Sequence, residues 1–163
     1  MRLRSLTKLE DDGLSDLARK YNVTLEAIAL QTRHIVDEMN AKGHEIQSIY
    51  MSGGQAKNHT LMQLIANACK MPVVLPKSSG AAVVLGAAML GRFAAELKPD
   101  SGDIQAECEA RWKIMVEMTP TGTLVPPGAS AREAKLLEAK YKIFRESIDI
   151  QKRWRAQIEE ALN

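Results

Sequence analysis

Aromatic residues are scarce in this chain: two Trp, three Tyr and two Phe make up 4% of its 163 residues. A core with so few rings must be filled by aliphatic side chains and Met, and the abundance of Ala, Leu, Ile and Met leans helical. Cysteine is scarcer still. Cys69 and Cys108 stand at no metal-ligand spacing, and both read as reduced thiols of a cytoplasmic protein. His34, His44 and His59 are scattered, with no carboxylate or cysteine at a ligand spacing, so no metal site is expected from them. A net charge of +2 is too small to argue for nucleic acid or a membrane surface. No run approaches the roughly 20 apolar residues of a transmembrane helix. The basic N-terminus has no continuous apolar segment and is not read as a secretory signal. With 45% hydrophobic and 26% charged residues, a soluble globular chain is expected.

The periodicity predicts a mostly helical order with two short strands. Asp11 or Asp12 caps a helix through Tyr21, with Leu14, Leu17 and Ala18 on one face. Asn22 or Thr24 caps a second helix whose stripe is Leu25, Ile28, Ala29, Thr32, Ile35, Val36 and Met39. Lys42-Gly43 ends it, a cation in the last turn and a glycine beyond. A buried strand over Ile46–Met51 stops at Ser52-Gly53-Gly54. A helix over 59–70 follows, with Leu61, Leu64, Ile65 and Ala68 inward, and Pro72 forbids its continuation.

Val73–Leu75 is the second strand. Helices are expected over 81–95 and 104–118, with a loop over 119–130 and a long helix over 131–161. The apolar seam of the last helix is Leu137, Tyr141, Phe144, Ile148, Trp154 and Ile158, and it is expected to pack onto the domain. The helix over 81–95 carries Gly86 and Gly91 beside several alanines. Interior glycine costs about 1 kcal/mol against alanine, so a close backbone or a flat ligand is expected against that face.

The junction at 49–58 is the most informative stretch. A strand, a Gly-Gly turn and a helix N-terminus suit an anion, because glycine admits close approach and the first helical N–H groups lack partners. The same geometry also serves simply to turn the chain. The two strands, joined through a helix, should be parallel. Two parallel strands do not make a self-sufficient sheet, and an open apolar edge invites association. The chain therefore reads as a piece of a larger protein, with strands from another chain as the alternative.

The run Ser52-Gly53-Gly54-Gln55-Ala56-Lys57-Asn58-His59-Thr60-Leu61-Met62-Gln63-Leu64-Ile65-Ala66-Asn67 resembles the nucleotide-binding segment of the FGGY carbohydrate kinases. Pro72-Val73-Val74-Leu75-Pro76, then Ala82-Val83-Val84-Leu85-Gly86-Ala87-Ala88-Met89-Leu90-Gly91, is similar to that family's next block. The stretch Glu26–Val36 resembles the preceding helix. The wording is closest to the eukaryotic D-ribulokinase-like branch. The resemblance implies an α/β fold: a partial actin-like ATPase (ribonuclease H-like) second domain over 1–98, with a C-terminal helical extension packing on it over 99–163.

It further implies that Gly53, Gly54, Gln55 and Asn58 contact ATP, the glycine turn at the phosphates and Asn58 on the adenine or ribose side. Gln55 and Lys57 are equally readable as solvated turn residues. The helix bearing Gly86, Ala87 and Ala88 would let elements pack around the purine pocket. The family's catalytic Asp, its sugar pocket and most of its Mg2+-handling carboxylates belong to preceding parts that have no counterpart here. Glu10-Asp11-Asp12 reads as a helix cap. The resemblance thus implies the nucleotide-binding C-terminal part of an ATP-dependent pentulose kinase, D-ribulose being the expected sugar, inactive alone and partnered by an N-terminal kinase domain. The rival readings are a non-catalytic module associating through its sheet edge and last helix into a homo- or hetero-oligomer, and a fragment of another actin-like ATPase. A dinucleotide-binding domain is disfavoured, because the third spaced glycine and the acidic residue after the next strand are absent.

Overall fold

The computed structural model describes residues 13–77, 79–96 and 103–162. Five helices and three short strands follow in the order α1 (Leu14–Ala41), β1 (Ile49–Tyr50), α2 (His59–Cys69), β2 (Val73–Leu75), α3 (Ala82–Glu96), α4 (Ile104–Met118), β3 (Thr123–Val125) and α5 (Ala131–Leu162). The expected Asp11/Asp12 cap and Glu10 lie outside the described residues.

The first two predicted helices are one. Neither Asn22 nor Thr24 interrupts α1. The Thr24 hydroxyl donates to the Lys20 carbonyl at 2.9 Å, a bond that absorbs its polarity inside a continuous helix. The helix ends as expected, at Lys42 with Gly43 at φ +95°. Its buried face is rotated from the predicted stripe: Leu25, Ala29, Leu30 and Val36 are buried, whereas Ile35 and Met39 are exposed. Leu14 and Leu17 are exposed too.

The core gathers around α2. Leu61, Met62, Ile65 and Val73 are its largest fully buried side chains, against Leu25 and Ala29 of α1 and Leu75 of β2. Asn58 caps α2, accepting the Leu61 N–H at 3.1 Å. Lys70 ends the helix in the left-handed region at φ +57°.

β1 and β2 are parallel, with Ile49 opposite Val73 and Tyr50 opposite Val74. The expected strand over 46–51 is shorter than its apolar run. A third strand lies within the predicted loop over 119–130. β3 pairs antiparallel with β2, Val125 opposite Val73 and Thr123 opposite Leu75, giving the order β1-β2-β3. Gly122 makes this pairing feasible. A Cβ there would sit 2.8 Å from the Leu75 carbonyl oxygen, a backbone atom that cannot swing aside. Gly122→Ala should therefore cost about 1–3 kcal/mol, read by urea unfolding, as overpacking does elsewhere. A variant as stable as the parent would mean that the chain relaxes freely there.

α5 crosses both α1 and α2. Leu137 and Tyr141 are buried, as the predicted seam requires, and Phe144 and Ile148 are half-buried. Trp154 and Ile158, placed on the same seam from sequence, are exposed. α5 is opened by a capping box: the Glu133 carboxylate accepts from the Ser130 N–H at 2.9 Å, and the Glu133 N–H donates back to the Ser130 hydroxyl. α3 buries no residue and packs mainly along α4, where Arg92 reaches Glu117 at 2.8 Å. The expected close neighbour of Gly86 and Gly91 is not found among the described residues: nothing stands within 4 Å of a Cβ at either position.

Candidate nucleotide-facing turn

The two parallel strands run in one direction, so their carboxyl ends lie side by side. Each end leads into one turn of 3-10 helix and then an α-helix: Gly54–Lys57 before α2, and Ser79–Ala81 before α3. The two 3-10 turns touch. Ligands of open α/β sheets settle at this carboxyl edge, because the strands stop there and the next helices point their free N–H groups toward it.

The turn after β1 is held at three points. Met51 N–H donates to the Val74 carbonyl at 3.0 Å, fixing its start to the sheet. The Ala56 side chain is buried in the core and pins its middle. Asn58 fixes its end, since its Oδ1 caps α2 while its Nδ2 donates to the Tyr21 hydroxyl of α1 at 2.9 Å. Between these anchors Gly53 has φ +85° and ψ −168°, a conformation open essentially to glycine alone. Gly53, Gly54 and Gln55 are exposed, and a Cβ on Gly54 would meet nothing within 4 Å.

All four sequence-predicted residues therefore share one turn. Gly53 bends it, Gly54 opens the 3-10 segment, Gln55 points to solvent, and Asn58 closes it as the cap of α2. Tyr21 was not foreseen; its hydroxyl orients the Asn58 amide from a helix 37 residues earlier in the chain. Asn58 as a cap was readable from an Asn before a helical run. A groove of about 650 Å³ between α1 and α2 is lined by Asn22, Glu26, His59, Thr60 and Gln63 and includes none of Gly53, Gly54 or Gln55. Among the described residues no group of three or more His, Cys, Asp or Glu side chains is placed to hold a metal ion.

A second polar cluster lies at the other end of α2, around Lys70, and fastens α5. The Arg33 guanidinium makes two 3.0 Å bonds to the Glu138 carboxylate and stacks 3.9 Å from the centre of the Tyr141 ring. Lys70 reaches the same carboxylate at 2.9 Å, and the Tyr141 hydroxyl donates to Asp37 at 2.6 Å. The Arg33 and Lys70 hydrogen bonds hold the Glu138 carboxyl down at about 2. Burial, then the bond to Asp37, pushes the Tyr141 phenol up to about 12. Burial likewise pushes the Cys69 thiol up to about 11, which leaves it protonated and unreactive.

A mostly helical layer packed on a short mixed sheet, with a glycine turn at the carboxyl edge of its parallel pair, is the arrangement of an actin-like ATPase domain. The structure of xylulose kinase from Rhodospirillum rubrum superposes with a TM-score of 0.57 at 22% identity, covering 80% of this chain and 24% of that one. The family model for the C-terminal domain of the FGGY family of carbohydrate kinases matches residues 3–95, and the chain belongs to that family. It is 46% identical over 86 residues to a D-ribulokinase of Saccharomyces cerevisiae, covering 53% of this chain and 12% of that protein. It is 38% identical over 149 residues to the human FGGY carbohydrate kinase domain-containing protein, covering 91% of this chain and 24% of that one. The chain thus spans at most about a quarter of the length of these relatives.

Proposed function

We propose that this chain is the nucleotide-binding C-terminal part of an ATP-dependent carbohydrate kinase, which transfers the ATP γ-phosphoryl group to a sugar hydroxyl. One observation carries the site: an exposed Gly53-Gly54 turn, anchored on both sides, opens at the carboxyl edge of the parallel strands with room for a ligand at Gly54. Backbone N–H groups there suit the polyphosphate, because an anion needs close approach to unobstructed donors. Gln55 and Asn58 flank them. Asn58 would act on the nucleoside side, with Tyr21 holding its amide.

Among the described residues no three His, Cys, Asp or Glu side chains gather in one place. A metal would arrive on the triphosphate and be held mainly by carboxylates of the preceding part of a full-length kinase, as would the sugar and the base. Phosphoryl transfer depends on positioning and charge neutralisation, and this chain's share is positioning the nucleotide. D-ribulose is the proposed sugar, supported by the 46% identity to a D-ribulokinase. Residues 1–98 would form the partial second domain and 99–163 a helical extension. The proposed location is the cytoplasm, where Cys69 and Cys108 would stay reduced.

Calorimetric titration of Mg-ATP into the chain and into Gly54→Val tests the site. Weak binding by the parent is expected, and at least about a tenfold loss in the variant, since a branched side chain would occupy the space of the phosphates. Equal, measurable binding by both would remove the turn from the site. Turnover of D-ribulose by this chain alone above background would overturn the assignment of the base to another segment.

A further inference from the structure

α5 carries two apolar stripes, and only one is covered among the described residues. Leu137, Tyr141, Phe144 and Ile148 face the domain. Leu136, Ile143, Ile150, Trp154 and Ile158 are exposed by 54%, 67%, 36%, 57% and 62%. On a helix of 3.6 residues per turn these five fall within an arc of roughly 80°, centred roughly 110° around the helix from the buried seam. Leu136, Ile143 and Ile150 recur every seven residues, and Trp154 follows at the next step of four. An exposed apolar stripe of this length on one helix is covered in water by a second helix.

We propose that this stripe pairs antiparallel with α5 of a second copy of the chain. Self-complementarity carries the choice of occupant. Laid antiparallel, Ile143 of one copy faces Trp154 of the other and Ile150 faces Ser147, so large side chains meet each other or a small residue. Leu136 likewise faces Ala161. In the same register Glu146 on the flank lies beside Arg153 of the second copy, and the two-fold axis repeats that pair. A parallel pairing sets Trp154 against Trp154, which overfills that layer. The charge and size pattern thus specifies both the partner and its direction.

Sedimentation equilibrium on the full chain tests this. The parent is expected to dimerise, and Ile150→Glu to be monomeric with unchanged helix content by circular dichroism, because Ile150 points away from the domain. Glu146→Arg and Arg153→Glu should each weaken the dimer roughly tenfold, and the double exchange should restore it, since the flanking pairs are then re-formed with signs swapped. A chain that is monomeric at every concentration overturns the proposal and leaves the stripe to another segment or protein. A dimer that Ile150→Glu leaves intact overturns it too, as does one indifferent to both charge exchanges.

Discussion

Removing the Arg33 side chain as Arg33→Ala should lower the stability of the chain by about 2–3 kcal/mol in urea unfolding, more than any other single charge deletion among the described residues. Arg33 is 11% exposed and makes a two-pronged contact with Glu138, whereas an ordinary surface pair contributes about 0–1 kcal/mol. Its loss strands a half-buried carboxylate with only Lys70, costing about 1–2 kcal/mol. It also removes a cation stacked on the Tyr141 ring, for roughly another 1 kcal/mol. Lys70→Ala is the contrast: Lys70 is 62% exposed, and its loss should cost under about 1 kcal/mol. Equal effects from the two would mean that burial does not discriminate between them.

The same cluster sets the acid limit of the fold. Burial works against the Arg33 charge, but the Glu138 bond and the nearby Asp37 outweigh it and raise its pKa, so this partner stays charged throughout. Glu138 is depressed from 4.5 to about 2. Between those values the unfolded chain binds the extra proton, so the stabilisation is fully present above about 4.5 and is lost as pH falls through about 2. Because Glu138 is 37% exposed, screening reduces its worth to about 1–2 kcal/mol. The stability gap between the parent and Glu138→Gln should shrink by that amount across this window. A gap constant from pH 5 to pH 2 would exclude titration of Glu138 as its origin.

What was legible in the sequence had local punctuation. Asn58 and Pro72 bracket α2, Asp103 caps α4 through the Gln105 and Ala106 N–H groups, and Ser130 with Glu133 opens α5. The site was readable because Gly53-Gly54 interrupts an apolar run. What failed had two meanings. Thr24 is a good cap and an equally good mid-helix residue, and only its bond to Lys20 decides between them. β3 is three residues long with two of them exposed, so no alternating pattern marks it; Gly122, jammed against Leu75, was its one signal. The α5 seam merged two stripes because steps of three and four residues connect Ile148 to Trp154 only if the helix face is allowed to drift. The Tyr21–Asn58 contact required knowing that α1 passes over the start of α2, which is a property of packing.

Gly53→Ala should cost about 2 kcal/mol, while Gly54→Ala, its neighbour, should be nearly silent in stability. Neither added methyl meets an atom within 4 Å, so packing cannot distinguish them. The difference lies in the backbone. Gly53 is at φ +85°, ψ −168°, where an L-residue pays about 1–3 kcal/mol, and Gly54 begins an ordinary right-handed turn. Gly53→Asn should be as costly as Ala, because Asn tolerates the left-handed helical region but not this extended mirror region. A D-alanine placed at position 53 by semisynthesis should be tolerated, since these angles are the mirror image of a favourable extended conformation for an L-residue. It should also stabilise by a few tenths of a kcal/mol to about 1 kcal/mol, by restricting the unfolded chain. If L-Ala and D-Ala proved equivalent in thermal melts, the turn would not be held in that conformation. Relaxation at Gly53 would propagate to Ala56, which is buried, and to the Asn58 cap. The left-handed bend is therefore the point at which the geometry of the candidate nucleotide turn and the stability of α2 are set by the same residue.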